Sequence, residues 1–195
     1  MYFLGRRILW ALPLGLALFL VSASCSSSDP DDDASGGKVR APGFIELTPV
    51  GEVPAPKVGR PAPDFTLPDV DGKPVSLHDY DGKYILVNFW GTWCPPCRAE
   101  MPDMQIVYEE LKSQGLEIIG VDAPPDTEED VRTFVTRGGF TWVFVMDKTW
   151  EVARTYRIGA FPSTFFLDKD HVVRQVRVGA MNEKELRVRL SKLME

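Results

Sequence analysis

The sequence is poor in the residues that hold structural metals. It contains three cysteines and two histidines in 195 residues, and only two prolines separate Cys94 from Cys97. A structural zinc site at this pair would need two further ligands, and Cys25, His78 and His171 are the remaining residues of these types. A purely structural disulfide is also a poor explanation, because the loop it would close is very short and constrains the unfolded chain little. We therefore interpret the pair as a redox centre with no metal.

The chain also lacks an excess of positive charge. Its 22 Lys and Arg residues are outnumbered by 28 Asp and Glu, which gives a formal net charge of −6. Domains that bind nucleic acid need a basic face to neutralise phosphates, so this composition argues against a nucleic-acid partner. The length fits one domain with appendages, and there is no internal repeat.

Long apolar runs are scarce, and the one near the N-terminus is short for a membrane span. Residues 8–21 are apolar and uncharged and follow Arg6-Arg7. A spanning helix needs about 20 such residues, so a signal peptide is favoured, with an uncleaved anchor as the alternative. Either interpretation predicts an exported protein that faces the periplasm or another compartment of a bacterial cell envelope.

Cys25 ends this targeting segment, residues 1–25. It follows Ser22-Ala23-Ser24, which resembles a bacterial lipoprotein processing site and implies lipidation of Cys25 and a tether to the membrane. An ordinary signal peptide cleaved nearby is the alternative. Residues 26–58 are acidic and proline-rich and are predicted to be a flexible linker to a folded domain at residues 59–195.

The two central cysteines follow a short apolar run, Ile85 to Trp90, that is typical of a strand covered on both faces. Gly91 ends this run, and from Cys97 onward the apolar spacing becomes helical. Cys94 is thereby placed at a helix N-terminus, where the helix dipole and free N–H groups favour a thiolate. We predict that Cys94 attacks and that Cys97 resolves the mixed disulfide.

A family resemblance rests on two motifs. The segment 90–102, with the sequence WGTWCPPCRAEMP, resembles the active site of thioredoxin-like oxidoreductases of the TlpA/ResA kind. Phe161-Pro162-Ser163-Thr164 resembles the family's loop that faces the cysteines, in which the proline is cis. The similarity extends from about Gly59 to the C-terminus. It implies a thiol–disulfide oxidoreductase whose only redox group is the Cys94–Cys97 disulfide, without a separate cofactor.

The expected fold is α/β and thioredoxin-like, with a mixed β-sheet covered by helices on both faces. Asp71-Gly72, between two alternating segments, predicts an N-terminal β-hairpin. A helix that begins after Thr127 and an apolar strand at residues 142–146 look like the family's central insertion. His78 and His171 are interpreted as exposed residues at turns.

The prolines between the cysteines bear on redox direction. Neither Pro95 nor Pro96 has an N–H group to donate to the Cys94 sulfur, and no histidine lies between the cysteines. Weak stabilisation of the thiolate favours a reductant or a balanced exchanger over a disulfide-forming oxidant.

Glu100 is the predicted proton acceptor for Cys97. Minimal thioredoxins have a buried aspartate where this chain has Asn88, which cannot titrate. Glu100 lies one helical turn beyond Cys97 and matches an acid of the family, and burial would raise its pKa toward neutrality. The alternative is a glutamate in the first helical turn that only interacts with the helix dipole.

Aromatic residues and prolines are predicted to shape the site around the cysteines. Trp90 and Trp93 are expected to form its wall and rim, with plain packing as the alternative for Trp90. The predicted substrate-binding residues are Trp90, Trp93, Pro95, Pro96, Phe161 and Pro162.

The resemblance implies partners as well. These are substrate proteins with disulfides, with apocytochrome c as a candidate, and a membrane thiol reductase as electron donor. Two alternatives are a thioredoxin-fold copper chaperone, which uses a wider cysteine spacing, and a thiol peroxidase, which has a differently placed lone cysteine. The C-x-x-C spacing at Cys94 favours a protein-disulfide reductase.

Overall fold

The computed structural model describes residues 56–195. The targeting segment, Cys25 and all but the last three residues of the predicted linker lie outside the described residues. Among residues 56–195, no helix combines the length and apolar character that crossing a membrane requires.

Strands and helices alternate along the described chain. The strands are β1 (Thr66–Pro68), β2 (Pro74–Ser76), β3 (Tyr84–Trp90), β4 (Leu116–Asp122), β5 (Val143–Met146), β6 (Ser163–Leu167) and β7 (Val173–Val178). The α-helices are α1 (Pro95–Leu111), α2 (Glu128–Gly138), α3 (Glu151–Thr155) and α4 (Glu183–Met194).

A five-stranded mixed sheet organises the domain, in the order β5-β4-β3-β6-β7. β3 pairs in parallel with β4 and antiparallel with β6, and β6 pairs antiparallel with β7. β1 and β2 form a separate antiparallel hairpin. The predicted thioredoxin-like α/β arrangement is confirmed, including the hairpin and the inserted helix and strand, α2 and β5.

β3 is the central strand because both of its faces are apolar. Leu86 and Trp90 pack into one core with side chains of α1, α2 and α4. Ile85, Val87 and Phe89 pack into a second core with side chains of α3 and the hairpin. Alternate side chains of a strand point to opposite faces, so Asn88 shares the α1 face with Leu86 and Trp90.

Helix ends follow the capping residues that the sequence indicates. Thr127 caps α2 in a capping box with Asp130, and Gly139 ends it in a left-handed conformation. Asn182 caps α4 with its side chain, which accepts a hydrogen bond from the Glu185 N–H. After α1, a 3₁₀ turn at Lys112–Gln114 leads to Gly115, which is in the left-handed conformation.

The prediction that His171 is an exposed turn residue is wrong. It is 7% exposed, because the chain at residues 59–62 crosses over the β6–β7 turn. The Ala62 N–H donates to the His171 carbonyl at 2.9 Å, and the Gly59 N–H donates to the Val173 carbonyl at 2.8 Å. His78 is exposed, as predicted.

Candidate active site

The two cysteines lie just beyond the carboxyl end of β3 and are joined in a disulfide with a Cα–Cα distance of 5.3 Å. Cys94 is the N-cap of α1, and Cys97 lies within its first turn. Cys94 is 4% exposed and Cys97 is 0% exposed. An external thiol therefore meets Cys94 first, which agrees with the predicted order of attack. The attacking role itself stays a prediction.

One backbone donor reaches the Cys94 sulfur. The N–H group of Cys97 donates to the Cys94 Sγ at 3.3 Å. Pro95 and Pro96 occupy the first positions of α1, where a missing N–H costs no helical hydrogen bond. The prolines remove the donors between the cysteines, as the sequence indicates, but the second cysteine supplies a donor of its own.

Glu100 is buried beneath the disulfide end of α1, with 1% exposure. Its Oε1 accepts a hydrogen bond from Asn88 Nδ2 at 3.0 Å, and its Oε2 accepts one from the Met181 N–H at 2.9 Å. Burial raises the pKa of Glu100 to about 7, and these two donors oppose the rise. The carboxyl group can therefore gain or lose a proton near neutral pH.

The dipole explanation for Glu100 does not fit the helix. α1 begins at Pro95, and its first turn contains no acidic residue. A glutamate beyond the first turn gains little from the helix dipole, whose effect falls off within that turn. Glu100 and Cys97 are both buried and lie one turn apart on α1, as the spacing predicted.

Asn88 links this carboxyl group to the neighbouring strand. Its Nδ2 donates to Thr164 Oγ1 at 2.9 Å as well as to Glu100. Asn88 and Thr164 are also direct partners in the register of β3 and β6. From the sequence, Asn88 is notable only as a residue that cannot titrate, whereas in the structure it orients Glu100.

A second acidic group near the cysteines was missed altogether. Asp122 ends β4, is 1% exposed, and has an Oδ1 without a hydrogen-bond partner. Burial, followed by the adjacent Asp126 carboxyl group, raises the pKa of Asp122 to about 9. Asp126 accepts hydrogen bonds from the backbone N–H and the hydroxyl of Thr92, both at 2.6 Å.

The sequence does contain a signal for this acidic pair. Trp90 and Asp122 are partners in the parallel register of β3 and β4, so the acid stands at the carboxyl end of the strand beside the cysteine loop. The carboxyl ends of parallel strands lie at one edge, where binding sites of α/β proteins gather. Asp122, an acid at the end of the largely apolar strand β4, is therefore the sequence signal for this part of the active site.

Trp90 contributes to the site only from the interior. It is completely buried, and its ring contacts Phe134 and Phe144 at centroid distances of 5.4 and 5.3 Å. Gly120 leaves room for this ring, because a Cβ there would lie 3.1 Å from Trp90 Nε1. A docked protein therefore contacts other side chains, and the role of Trp90 is to pack in the core, the alternative that the sequence left open.

Trp93 forms an exposed rim beside the cysteines. It is 42% exposed, its ring lies 5.3 Å from that of Phe161, and its Nε1 donates to the Ala123 carbonyl at 3.3 Å. A Cβ on Gly91 would lie 2.5 Å from Trp93 Nε1, so this ring position requires glycine there. Trp93 and Phe161 together offer an apolar surface next to Cys94.

The Phe161–Pro162 peptide bond is cis, as the resemblance implied. Ser163, the next residue, pairs with Phe89 near the carboxyl end of β3. The loop therefore lies at the same end of the sheet as the cysteines, and Phe161 contacts Trp93 across it.

Comparison of the sequence with known proteins agrees with this geometry. The model of the AhpC/TSA family matches residues 58–176. The thiol-disulfide oxidoreductase ResA of Geobacillus kaustophilus is 40% identical over 143 residues, covering 73% of this chain and 78% of that protein. ResA of Bacillus anthracis is 38% identical over 137 residues, covering 70% and 79% respectively.

Solved structures show the same relationship. A thioredoxin-family thiol:disulfide interchange protein from Chlorobium tepidum TLS aligns with a TM-score of 0.64 at 31% identity, covering 69% of this chain and 96% of that one. A secreted thiol-disulfide isomerase from Corynebacterium glutamicum aligns with a TM-score of 0.64 at 26% identity, covering 68% and 84%.

Proposed function

The chain belongs to the AhpC/TSA family and is a thiol–disulfide oxidoreductase of the ResA kind, and we propose that it works outside the cytoplasm as a reductant of disulfides in other proteins. The observation that carries this proposal is the arrangement of three groups. A slightly exposed sulfur, Cys94, a fully buried sulfur, Cys97, and a buried acid with a pKa of about 7, Glu100, follow one another along the start of α1.

In the reductive half of the proposed cycle, the Cys94 thiolate attacks one sulfur of a substrate disulfide. The substrate S–S bond breaks, the second substrate sulfur leaves as a thiolate that takes a proton, and a mixed disulfide forms. Cys97 then passes its proton to the Glu100 carboxylate and attacks the Cys94 sulfur. The first substrate sulfur leaves with both electrons of the broken bond, and the Cys94–Cys97 disulfide forms.

The proposed direction rests on the surroundings of the Cys94 sulfur. The structure shows one backbone donor to this sulfur, from Cys97, and proline occupies both positions between the cysteines. A poorly stabilised thiolate gives up electrons readily. The reduction potential of the Cys94–Cys97 couple is therefore expected near that of thioredoxin, about −270 mV, rather than near that of a strong oxidant, about −120 mV.

Export and membrane attachment are part of the proposal. The apolar segment after Arg6-Arg7 and the lipoprotein-like Cys25 support them, and one structural relative is described as secreted. A membrane thiol reductase would then return two electrons to the Cys94–Cys97 disulfide. Apocytochrome c is the candidate substrate, because its haem-attachment cysteines must be reduced before haem is bound.

Equilibration of the full chain with glutathione buffers tests the direction. A reducing couple keeps the Cys94–Cys97 disulfide oxidised in ordinary mixtures of reduced and oxidised glutathione. A couple that stays fully reduced in those mixtures contradicts the proposal. Cys97→Ala, which cannot resolve a mixed disulfide, should trap substrates covalently on Cys94, and Cys94→Ala is the matched control that traps none.

Membrane fractionation tests the tether. Cys25→Ser should release the protein from the membrane or move it to a different cell fraction. Mass spectrometry shows whether residues 1–24 are removed. If the protein stays in the membrane fraction with residues 1–24 present, the segment is an uncleaved anchor and the lipoprotein proposal is wrong.

A further inference from the structure

Both histidines of the chain lie against one aspartate at the end of the sheet that is remote from the cysteines. His78 Nδ1 is 3.1 Å and His171 Nδ1 is 3.7 Å from the Oδ1 of Asp81. One ligand atom from each of the three residues lies within 4.8 Å of the others. The residues come from separate parts of the chain, since His171 follows β6 and the other two precede β3.

The far side of the His171 ring faces a hydrogen-bond acceptor, and the far side of the His78 ring faces a more distant carboxylate. His171 Nε2 lies 3.3 Å from the Tyr80 carbonyl oxygen, and His78 Nε2 lies 3.8 Å from a carboxylate oxygen of Asp64. The acceptor at Nε2 of His171 favours the tautomer with its hydrogen there, which leaves the Nδ1 lone pair free to bind a metal. His78 Nδ1 makes its closest polar contact with Asp81, and a metal ion would take the place of the hydrogen in that contact. Histidines that bind metals are oriented by the same type of acceptor behind the ring.

Both Nδ1 atoms face the same carboxylate oxygen, that of Asp81. Three electron-rich atoms that face one another repel unless a proton or a metal ion lies between them. The edges of a tetrahedral site with bonds of about 2.0–2.1 Å are roughly 3.3 Å long. The two measured separations, 3.1 and 3.7 Å, lie on either side of this value.

The surroundings suit a cation that enters from solvent. The three residues border a surface depression of about 560 Å³, whose other lining residues include Asp64, Asp170 and Lys169. The ammonium group of Lys169 lies 5.0 Å from the centre of the Tyr84 ring, where it makes a cation–π contact. His171 is buried at the base, whereas His78 and Asp81 are exposed at the mouth.

We propose that His78, Asp81 and His171 form a binding site for a divalent transition-metal cation of the zinc type. Two imidazole nitrogens and one carboxylate oxygen are a donor set that such ions prefer over Mg²⁺ or Ca²⁺, which select oxygen ligands. Water completes the coordination from the open mouth. The site fixes the 3₁₀ turn at Leu77–Tyr80 and Asp81 to the β6–β7 turn.

The site is separate from the redox centre. Leu167, at the end of β6, pairs with Ile85 at the start of β3, while the cysteines follow the other end of β3. A strand of this length spans roughly 20 Å, so a cation at His171 does not reach the Cys94 sulfur. Its expected effect is on the stability of the fold, because a cation that binds only the folded chain stabilises it.

Calorimetric titration with ZnCl₂ tests the site directly. The protein is untagged and full length, carries Cys25→Ser, and is kept oxidised so that Cys94 and Cys97 offer no free thiol. We expect one Zn²⁺ per chain, and a rise in Tm of about 5–10 °C when free Zn²⁺ is about 100 times its Kd. Co²⁺ in place of Zn²⁺ should give the visible absorption bands of a tetrahedral site.

His78→Ala and Asp81→Asn alter exposed side chains, so both variants should fold and both should lose the stoichiometric site and the rise in Tm. Asp170→Asn is the matched control, because it removes a charge from the same depression without removing a proposed ligand. It should keep one Zn²⁺ per chain. Disulfide reduction by His78→Ala should match that of the parent protein.

Three outcomes would overturn the proposal. One is the absence of saturable Zn²⁺ binding, which would mean that a proton on a histidine holds Asp81 in place. Another is binding that survives both His78→Ala and Asp81→Asn. The third is an equal loss of binding in Asp170→Asn, which would indicate diffuse attraction to an acidic surface.

Discussion

Two acids at the active-site end of the sheet, Glu100 and Asp122, share the same degree of burial and differ in their partners. Each is 1% exposed, and each has a pKa raised by that burial. Glu100 receives one N–H donor at each carboxylate oxygen. Asp122 has an Oδ1 with no partner and faces the carboxyl group of Asp126.

The difference shows that burial gives the direction of a pKa shift and that local donors decide its size. With two donors, the pKa of Glu100 stops at about 7, which suits a group that exchanges protons with Cys97. Beside another carboxyl group, the pKa of Asp122 reaches about 9, so this acid keeps its proton at neutral pH. Glu100 is therefore suited to the proton transfer that we propose, whereas a protonated Asp122 can donate to Asp126, which accepts hydrogen bonds from Thr92 in the cysteine loop.

Glu100→Gln should have the largest effect. Glutamine keeps the shape of the side chain but cannot accept a proton, so resolution of mixed disulfides should slow by about 10²–10⁴. The parent rate should rise with pH through the pKa of about 7, as the carboxylate forms, and this rise should be absent from the variant. Rapid mixing of the reduced protein with a peptide disulfide across a pH series measures both.

Glu109→Gln is the control for that experiment. Glu109 lies on the same helix but is exposed to solvent, so its substitution should leave both the rate and its pH dependence unchanged. Equal rates and equal pH profiles for Glu100→Gln and the parent protein would remove Glu100 from the mechanism.

Asp122→Asn should change stability rather than chemistry. The pKa of Asp122 in the folded protein, about 9, exceeds its value in the unfolded chain. Between about pH 4 and pH 9, folding therefore requires this carboxyl group to take up a proton, and the stability of the parent falls as pH rises through that window. The asparagine amide can donate to Asp126 without first taking up a proton. The variant should therefore be more stable at pH 8 by about 1–3 kcal/mol.

Urea denaturation at pH 5 and pH 8 measures this difference in the free energy of unfolding. The advantage of the variant should be smaller at pH 5. An advantage of the same size at both pH values, or none, would show that Asp122 is ionised in the folded protein.

Asn88→Ala should have the smallest effect of the three, on the pKa of Glu100. The Asn88 amide lowers that pKa, so its loss should move the midpoint of the rate profile upward from about 7. A shift of roughly one pH unit corresponds to one hydrogen bond to a charged group. Thr164→Val is the control, because it removes the other hydrogen bond of Asn88 and should leave the midpoint in place.

Local patterns in the sequence predicted the parts of the fold that local forces determine. The hairpin around Asp71-Gly72, the buried strand β3, and the capping of α2 by Thr127 all depend on residues close together in the chain. The burial of Glu100 followed from its helical spacing to Cys97 in the same way.

Contacts between distant segments could not be predicted in this manner. His171 was expected to be exposed because its own turn is polar, but residues 59–62 cover it from the other end of the domain. The pairing of Asp122 with Asp126 behind Thr92 depends on which strand lies beside β3. The second donor to Glu100 is a backbone group of Met181, which no side-chain pattern marks.

That backbone donor has a consequence for the order of synthesis. Met181 follows Glu100 by 81 residues, and a chain is synthesised from its N-terminus. A nascent chain thus presents both cysteines and Glu100 before the segment that completes the hydrogen bonds of the acid has emerged. The cysteines can form a disulfide early, but the carboxyl group that we propose to accept the Cys97 proton gains its second donor only once the segment before α4 has folded against α1.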